Sequence, residues 1–572
     1  MTWYRFPICF VLALSAFGCD GGGKTCAKDE TPVGDQCAKT YGTFAVRVNS
    51  VGYVPGREKR ATYAGGNAAF SVVREDGSVA YEGTASDPFD NEETGETGLR
   101  VADFSAFDES GEFHLEVEGV GESPPFRIAN DVYVDVLRSL MHGLYGQRCG
   151  EKVAIAFDGI EYRHGACHAE DAWLDFYDKP SEKQATLYGW HDAGDYGKYT
   201  TNGAFSVAMM LLAWQQFEPA LARIELDIPE HGGALPDFLA ECDFQLRWLL
   251  SMQLEDGSVA DRVTTASFDG EVMPEGSTSR RRLAPPTFGA TAYFVATLAR
   301  AARVLEPYDA DLAARYGDAA LRGFQFLIEN PTFASPAASV QAQFTGGYWN
   351  ASRGGLFWAA SEIWELTGDA AALEQTETLG KSVSVSPFWD WADVTNLGTF
   401  TYLLSQRAGR DDSVVQALTA GLAKTVDTID GNTETHAYGR SVGTQYWWGA
   451  NGTVARTAIN VAVYDQLVPE AAHLDSIALS LDNLLGRNFY GRSFVTGLGQ
   501  HPPQHPHHRP SQADGNPEPW PGLLVGGPWS NSAGDLPATA WRDDGKDYQT
   551  NEIAINWNAA MIYAAASLLP RD

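Results

Sequence analysis

Val132-Tyr133-Val134-Asp135-Val136-Leu137-Arg138-Ser139-Leu140-Met141-His142-Gly143-Leu144 is where the chain changes its hydrophobic period. Val132, Val136, Leu140 and Leu144 lie four residues apart with apolar neighbours beside them, which is helical spacing. Upstream, from Tyr41 to about Asn130, the period is two, as in Phe44-Val46-Val48, Phe70-Val72 and Phe113-Leu115-Val117, and Asp76-Gly77 sits between two such runs as a hairpin turn. About seven short strands fit, which predicts a small β-sandwich. Downstream, helical stretches are predicted at about 201–217, 235–253, 287–306, 311–328, 355–367, 391–408, 412–430, 452–467, 471–486 and 552–568, separated by Gly, Pro and aromatic loops. One or two weaker segments bring the number towards twelve. Helices paired in series over about 440 residues predict an α/α toroid, with inner helices around a core and loops at one end building a site. The boundary should fall near residue 130.

The chain has 572 residues, too many for one ordinary domain, so two or three packed units are expected. With 44% hydrophobic residues and 16 Trp, 23 Tyr and 28 Phe, it can bury a large core. A formal net charge of −33 repels phosphate backbones and anionic head groups, which excludes nucleic acid as a partner. So many aromatic rings in so acidic a chain suit a neutral, polar, ring-shaped ligand. There is no phosphate-binding glycine loop, no Gly-x-Ser-x-Gly elbow and no thiol-histidine pairing suggestive of a protease.

Residues 1–18 carry Arg5 followed by the apolar stretch Phe6–Phe17, the length of an export-signal core and too short to span a bilayer. Leu14-Ser15-Ala16-Phe17-Gly18-Cys19 is similar to a bacterial lipoprotein cleavage box, so export with a lipid anchor at Cys19, or plain secretion, is expected. Residues 19–42 read as a flexible tether, in which Cys26 and Cys37 can pair locally. Residues 43–130 are then the sandwich and 131–572 the helical domain, and the chain is expected to act as a monomer.

The most informative chemistry is at Gly189-Trp190-His191-Asp192-Ala193-Gly194-Asp195-Tyr196-Gly197-Lys198-Tyr199, where two acids are separated only by Ala and Gly before a helix. Small residues there would let a bulky ligand approach both carboxylates. A second acidic stretch runs from Trp541-Arg542-Asp543-Asp544 through Tyr548 and Asn551-Glu552 to Asn556-Trp557-Asn558-Ala559, opening the last helix. Cleaving a glycosidic bond needs one carboxylate to deprotonate water and a protonated acid to donate to the leaving oxygen. The competing reading is local: Asp192 and Asp195 cap one helix, and Glu552 complements the positive end of another.

The Trp190–Tyr199 run, Ser493-Phe494-Val495-Thr496-Gly497-Leu498-Gly499 leading to Pro506-His507-His508-Arg509, and the pattern from Trp541 to Ala559 together resemble glycoside hydrolase family 9. Val48-Asn49-Ser50-Val51-Gly52-Tyr53-Val54-Pro55 resembles that family's immunoglobulin-like module, with Ser50 where Gln is usual. The resemblance implies an immunoglobulin-like all-β sandwich followed by an all-α six-hairpin (α/α)6 barrel acting on β-1,4-glucans with inversion. It implies Asp195 as general base, Asp192 as a partner orienting the same water, and Glu552 as general acid, with His507 and Arg509 hydrogen-bonding the sugar beside the cleaved bond. Endo action on cellulose or related β-glucan is the leading expectation. An exo-acting β-glucosidase or cellodextrinase, or an exo-β-glucosaminidase, removing glucose or glucosamine from chain ends is the alternative within the family, and a catalytically silent carbohydrate-binding protein is a third reading.

Cys149, Cys167, His168 and His191 supply two thiols and two imidazoles, a set that suits tetrahedral zinc, while a Cys149–Cys167 disulfide is the simple alternative in an exported chain. The resemblance implies a structural zinc at these four residues, and calcium without an assigned ligand set. Cys242 reads as a small buried hydrophobe. Trp389, Trp391, Tyr446, Trp447 and Trp448 fall in or near loops where rings can stack on pyranose faces, about half of them being expected in the core. Tyr548 is read with Trp447 and Trp448 as substrate-binding. Tyr348-Trp349 and the stretch from Trp520 to Trp529 are weaker candidates.

Overall fold

A computed structural model describes residues 44–333, 335–470, 473–532 and 535–570, with the backbone of Glu30–Val33 and Gln36–Lys39. Thr43–Asp572 is one compact unit and Met1–Gly42 another. In the latter, Glu30–Val33 and Gln36–Lys39 pair antiparallel, so the expected structureless tether contains a hairpin. The export stretch, Cys19 and the side chains of Cys26 and Cys37 lie outside the described residues.

From Val46 to Ile128, ten strands form two sheets. One has the order Val46–Arg47, Arg60–Ala64, Glu96–Asp103, Phe89–Asn91; the other has the order Gly52–Tyr53, Phe126–Ile128, Gly111–Val117, Ala69–Arg74, Val79–Thr84, with Gly121–Glu122 beside Gly111–Val117. The expected seven fell short because several strands are two or three residues long, too short to display a period. Phe113, Leu115 and Val117 face inward while Glu112 and Glu116 face water, which is the alternation of a half-buried strand. Gly77 takes a φ of 81° in the turn between Ala69–Arg74 and Val79–Thr84.

Helices begin at Val132. Twelve described helices of ten residues or more alternate between two layers. Thr200–Leu221, Phe288–Leu305, Gly355–Thr367, Thr395–Leu404, Ala450–Leu467 and Ile555–Ser567 each pack on the next, and Ile555–Ser567 packs back on Thr200–Leu221, closing an inner ring. The intervening six lie outside it, so the domain is an (α/α)6 barrel. Burial follows the layers. Every residue of the inner helix from Ala450 to Val463 is buried, whereas the outer helix Ala310–Glu329 buries a stripe including Ala313, Tyr316, Ala320 and Leu327. Ala370–Gly380 is a helix without a clear sequence period, and the one expected at 391–408 is only Thr395–Leu404, started where Asp393 Oδ1 accepts from Thr395 N at 3.1 Å.

The helical region also holds strands that the sequence reading missed. Val153–Phe157 and Ile160–His164 form a hairpin, and a five-stranded sheet joins Lys179–Lys183, Trp173–Leu174, Arg282–Leu283, Arg262–Thr264 and Lys198–Tyr199. The sandwich docks on the barrel through polar groups: Asn49 Nδ2 donates to Asp482 Oδ1 at 2.9 Å and Thr62 Oγ1 to the Ala437 carbonyl at 2.7 Å. Ser50 Oγ donates to the Leu485 carbonyl and accepts from Gln500 N, serving this seam.

Candidate active site

The residues lining a cavity of about 340 Å³ come mainly from one kind of place, the segment just before an inner helix or its first turn. Asp192 and Asp195 precede Thr200–Leu221, Tyr348 precedes Gly355–Thr367, Trp391 precedes Thr395–Leu404, Trp447 and Trp448 precede Ala450–Leu467, and Glu552 precedes Ile555–Ser567. Inner helices that run the same way deliver their starts to one mouth. That is why residues up to 365 positions apart in sequence share one wall.

The carboxylates are joined through backbone. Ala193 bridges Ala554 antiparallel, Glu552 bridges His507 parallel, and Ile555 N donates to the Asp192 carbonyl at 2.9 Å. Asp192 is buried, with Oδ1 accepting from Asn202 Nδ2 at 2.7 Å and Oδ2 from the Tyr348 hydroxyl at 2.9 Å. Burial, and then the charge of Asp195, push its carboxyl up to about 7 against those two donors. Asp195 Oδ2 accepts from Gly197 N at 3.0 Å and the Tyr199 hydroxyl at 3.3 Å. Glu552 is pushed well above the usual carboxylate range by loss of water, then by Asp195 and Asp192, against the opposing pull of Arg509 and the Gly194 amide.

The capping reading fails. Thr200–Leu221 starts at Tyr199 and Ile555–Ser567 at Ala554, each without a side-chain cap. Glu552 does not open the last helix as expected: it follows the single turn Tyr548–Asn551, three residues before that helix begins. Gly194 has a different reason from the one read in the sequence. A Cβ there would lie 2.1 Å from the His507 carbonyl oxygen, so glycine admits the neighbouring loop.

Cys149, Cys167, His168 and His191 converge, their ligand atoms all within 4.8 Å of one another. The sulfurs are 3.9 Å apart and both cysteines are free, which removes the disulfide alternative. Cys149 Sγ lies 3.5 Å from His168 Nδ1, Cys167 Sγ 3.7 Å from His191 Nε2, and the two imidazole nitrogens 3.4 Å apart. Backbone holds the frame: His191 N donates to the Gln147 carbonyl and Cys149 N to the Gly189 carbonyl. Among the described residues the other such group of His, Cys, Asp or Glu side chains is His114, Glu116 and Glu122 on the sandwich. Cys242 is buried, as read from the sequence.

The glycosyl hydrolase family 9 profile matches residues 133–565, and a cellulase N-terminal ig-like domain matches residues 43–122. The chain belongs to glycosyl hydrolase family 9. Endoglucanase D of Acetivibrio thermocellus is 43% identical over 529 residues, which cover 92% of this chain and 83% of that protein. A crystal structure of a single mutant of the thermostable endoglucanase from Alicyclobacillus acidocaldarius matches with a TM-score of 0.84 at 32% identity, covering 92% of this chain and 99% of that one. A Zn-binding triple mutant of another family 9 endoglucanase matches with a TM-score of 0.82 at 31% identity, covering 91% of this chain and 100% of that one.

In this glycoside hydrolase the aromatic candidates divide. Trp391, Trp447, Trp448 and Trp557 line the cavity. Trp389 is buried with its indole N–H on Asn460 Oδ1, and Trp520 is buried against His164, so both are core. Tyr446 turns to the sandwich, donating to Glu93. Trp349 lies under the Arg262 guanidinium at 3.7 Å. His507, Arg509 and Tyr548 flank the cavity without lining it: His507 Nδ1 donates to the Gly545 carbonyl, Arg509 Nη1 to the Gly194 carbonyl at 2.7 Å, and Tyr548 packs edge-on to Trp448. The sequence reading missed Asn202 and Tyr199 as carboxylate partners, and Phe268, Asp390, Arg456 and Asn556 as cavity wall. Most of them sit at or near an inner-helix start, a signal that becomes usable only when inner and outer helices are told apart.

Proposed function

We propose that this family 9 hydrolase is an endo-acting β-1,4-glucanase that inverts configuration, with cellulose or a related β-glucan as substrate. One observation carries the reading: Asp192, Asp195 and Glu552 line the same cavity as four tryptophans, so acid and base groups share a wall with faces on which pyranose rings stack. The 43% identity to an endoglucanase over most of the chain supports the endo mode.

Glu552, kept protonated by desolvation and by two neighbouring acids, gives its proton to the glycosidic oxygen as the C1–O bond breaks. Water attacks C1 from the opposite face and loses its proton to Asp195. Asp192, gripped on both oxygens by Asn202 and Tyr348, orients that water and holds up the Glu552 proton affinity.

Zinc fits the cysteine-histidine group. Bond lengths for tetrahedral zinc require edges of about 3.8 Å between sulfurs, 3.5 Å between sulfur and nitrogen and 3.3 Å between nitrogens. The distances of 3.9, 3.5, 3.7 and 3.4 Å match them. Cys149, Cys167, His168 and His191 would hold the ion, which would supply rigidity alone, fixing His191 beside Asp192. Export, lipid attachment at Cys19 and a monomeric state belong to the same reading; detergent partition of the full chain and light scattering test them.

The deciding assay follows viscosity, reducing ends and product anomer together on soluble β-glucan. Rapid viscosity loss at few cuts, with the α-anomer appearing first, is expected. Release of one small product at constant viscosity would overturn endo action, and initial β-anomer would overturn inversion.

A further inference from the structure

The sandwich reaches the catalytic mouth through one carboxylate. Glu93 stands in the turn after strand Phe89–Asn91, and its Oε2 accepts from the Tyr446 hydroxyl at 2.8 Å. The same carboxylate lies 3.3 Å from His436 Nε2. The Arg440 guanidinium sits 4.0 Å from the centroid of the Tyr446 ring, and its Nη1 donates to the carbonyls of Gly443 and Gln445. The segment just before the cavity wall is thus tied from both sides.

The next two residues are Trp447 and Trp448, which line the cavity. Trp448 is 45% exposed and is described with one ring neighbour, Tyr548, at 5.4 Å between centroids. Its segment is irregular backbone, followed by Gly449 at a φ of 80° and then the helix Ala450–Leu467. Core packing therefore does little to fix the exposed ring, and its placement falls to the ties on Tyr446, two residues before it.

We propose that Glu93 is a positioning residue for substrate: by holding Tyr446, the sandwich sets the ring faces of Trp447 and Trp448 against the glucan chain. This rests on the reading of those tryptophans as a sugar platform. The sandwich then acts on binding of longer glucans, in addition to stabilising the fold.

The test uses the full chain with Glu93→Ala, Glu93→Gln, Tyr446→Phe and Trp448→Ala, assayed on cellohexaose and on a chromogenic cellobioside, with thermal midpoints measured alongside. Loss of a charge-assisted hydrogen bond should raise KM for cellohexaose roughly five-fold in Glu93→Ala and Tyr446→Phe while kcat changes less than about two-fold. Glu93→Gln, which keeps an acceptor, should recover most of the loss. Combining Glu93→Ala with Trp448→Ala should raise KM by less than the product of the two single effects, because part of the Glu93 effect passes through Trp448. If Trp448→Ala raises KM and Glu93→Ala does not, the coupling is wrong and the platform stands. If Trp448→Ala leaves KM unchanged, the platform reading fails and takes this inference with it. If Glu93→Ala instead lowers kcat on both substrates in step with thermal stability, Glu93 only docks the sandwich and the proposal is overturned.

Discussion

Two largely buried clusters meet at the peptide bond between His191 and Asp192, and they are built on opposite plans. Cys149, Cys167, His168 and His191 turn their donor atoms toward one another at the edge lengths of a small tetrahedron. Asp192, Asp195 and Glu552 bring like charges together and face a cavity. The first arrangement would gain from a cation at its centre, where four protein donors would fill a tetrahedral shell. The second costs free energy whenever its acids ionise, and that cost is what keeps a proton on Glu552. Burial alone does not separate a structural cluster from a reactive one; the direction in which its atoms point does.

Glu552→Gln breaks the contrast most severely. Without the proton donor, turnover of unactivated β-glucan should fall on the order of 10³-fold or more, while cello-oligosaccharide binding measured by calorimetry persists. The same change should raise stability. The folded-state affinity of Glu552 for its proton lies above the ordinary carboxylate value of 4.5, so wild-type stability falls as pH rises through and above that range. The gain in thermal midpoint of Glu552→Gln over wild type should therefore be small near pH 4 and larger near pH 8, and an equal gain at both would refute the assigned cause.

Cys167→Ser attacks the closed cluster. Metal analysis should find about one zinc per wild-type chain and little in the variant, with chelator lowering the thermal midpoint of wild type only. Equal metal in both proteins would remove the site. Trp389→Ala and Trp448→Ala separate core from cleft: the first should cost about 3–5 kcal/mol of stability by denaturant unfolding, the second about ten-fold in KM with the midpoint nearly unchanged. The smallest displacement to be measured is a pH shift, in Asp192→Asn, whose turnover itself should fall because the water loses its orienting carboxylate. Deleting one of the two charges that raise Glu552 should move the alkaline limb of the kcat profile of the residual activity to lower pH, and an unmoved limb would remove Asp192 as a cause.

The change of period at Val132 and the acid run before Tyr199 were legible because each is a local pattern. Period two marked Phe113, Leu115 and Val117 as inward facing, and the two acids set close together before a helix marked a reactive loop, although the small residues between them were read as room for a ligand. Strands of two residues, such as Arg282–Leu283, carry no period and stayed invisible. Trp389 and Trp391 look alike in sequence, yet one bonds Asn460 in the core and the other lines the cavity.

Sequence by itself determined the two layers of fold, the order of the helices and the residue types available for acid, base and metal chemistry, because those follow from side-chain period and composition. Tertiary structure alone decided which helices form the inner ring, and so which loops share a mouth. It also decided that Gly194 gives room to the His507 backbone, and that Glu552 sits ahead of the last helix in surroundings that keep it protonated. Proton affinity and ring exposure depend on neighbours hundreds of residues away, and only the closed ring brings those neighbours together.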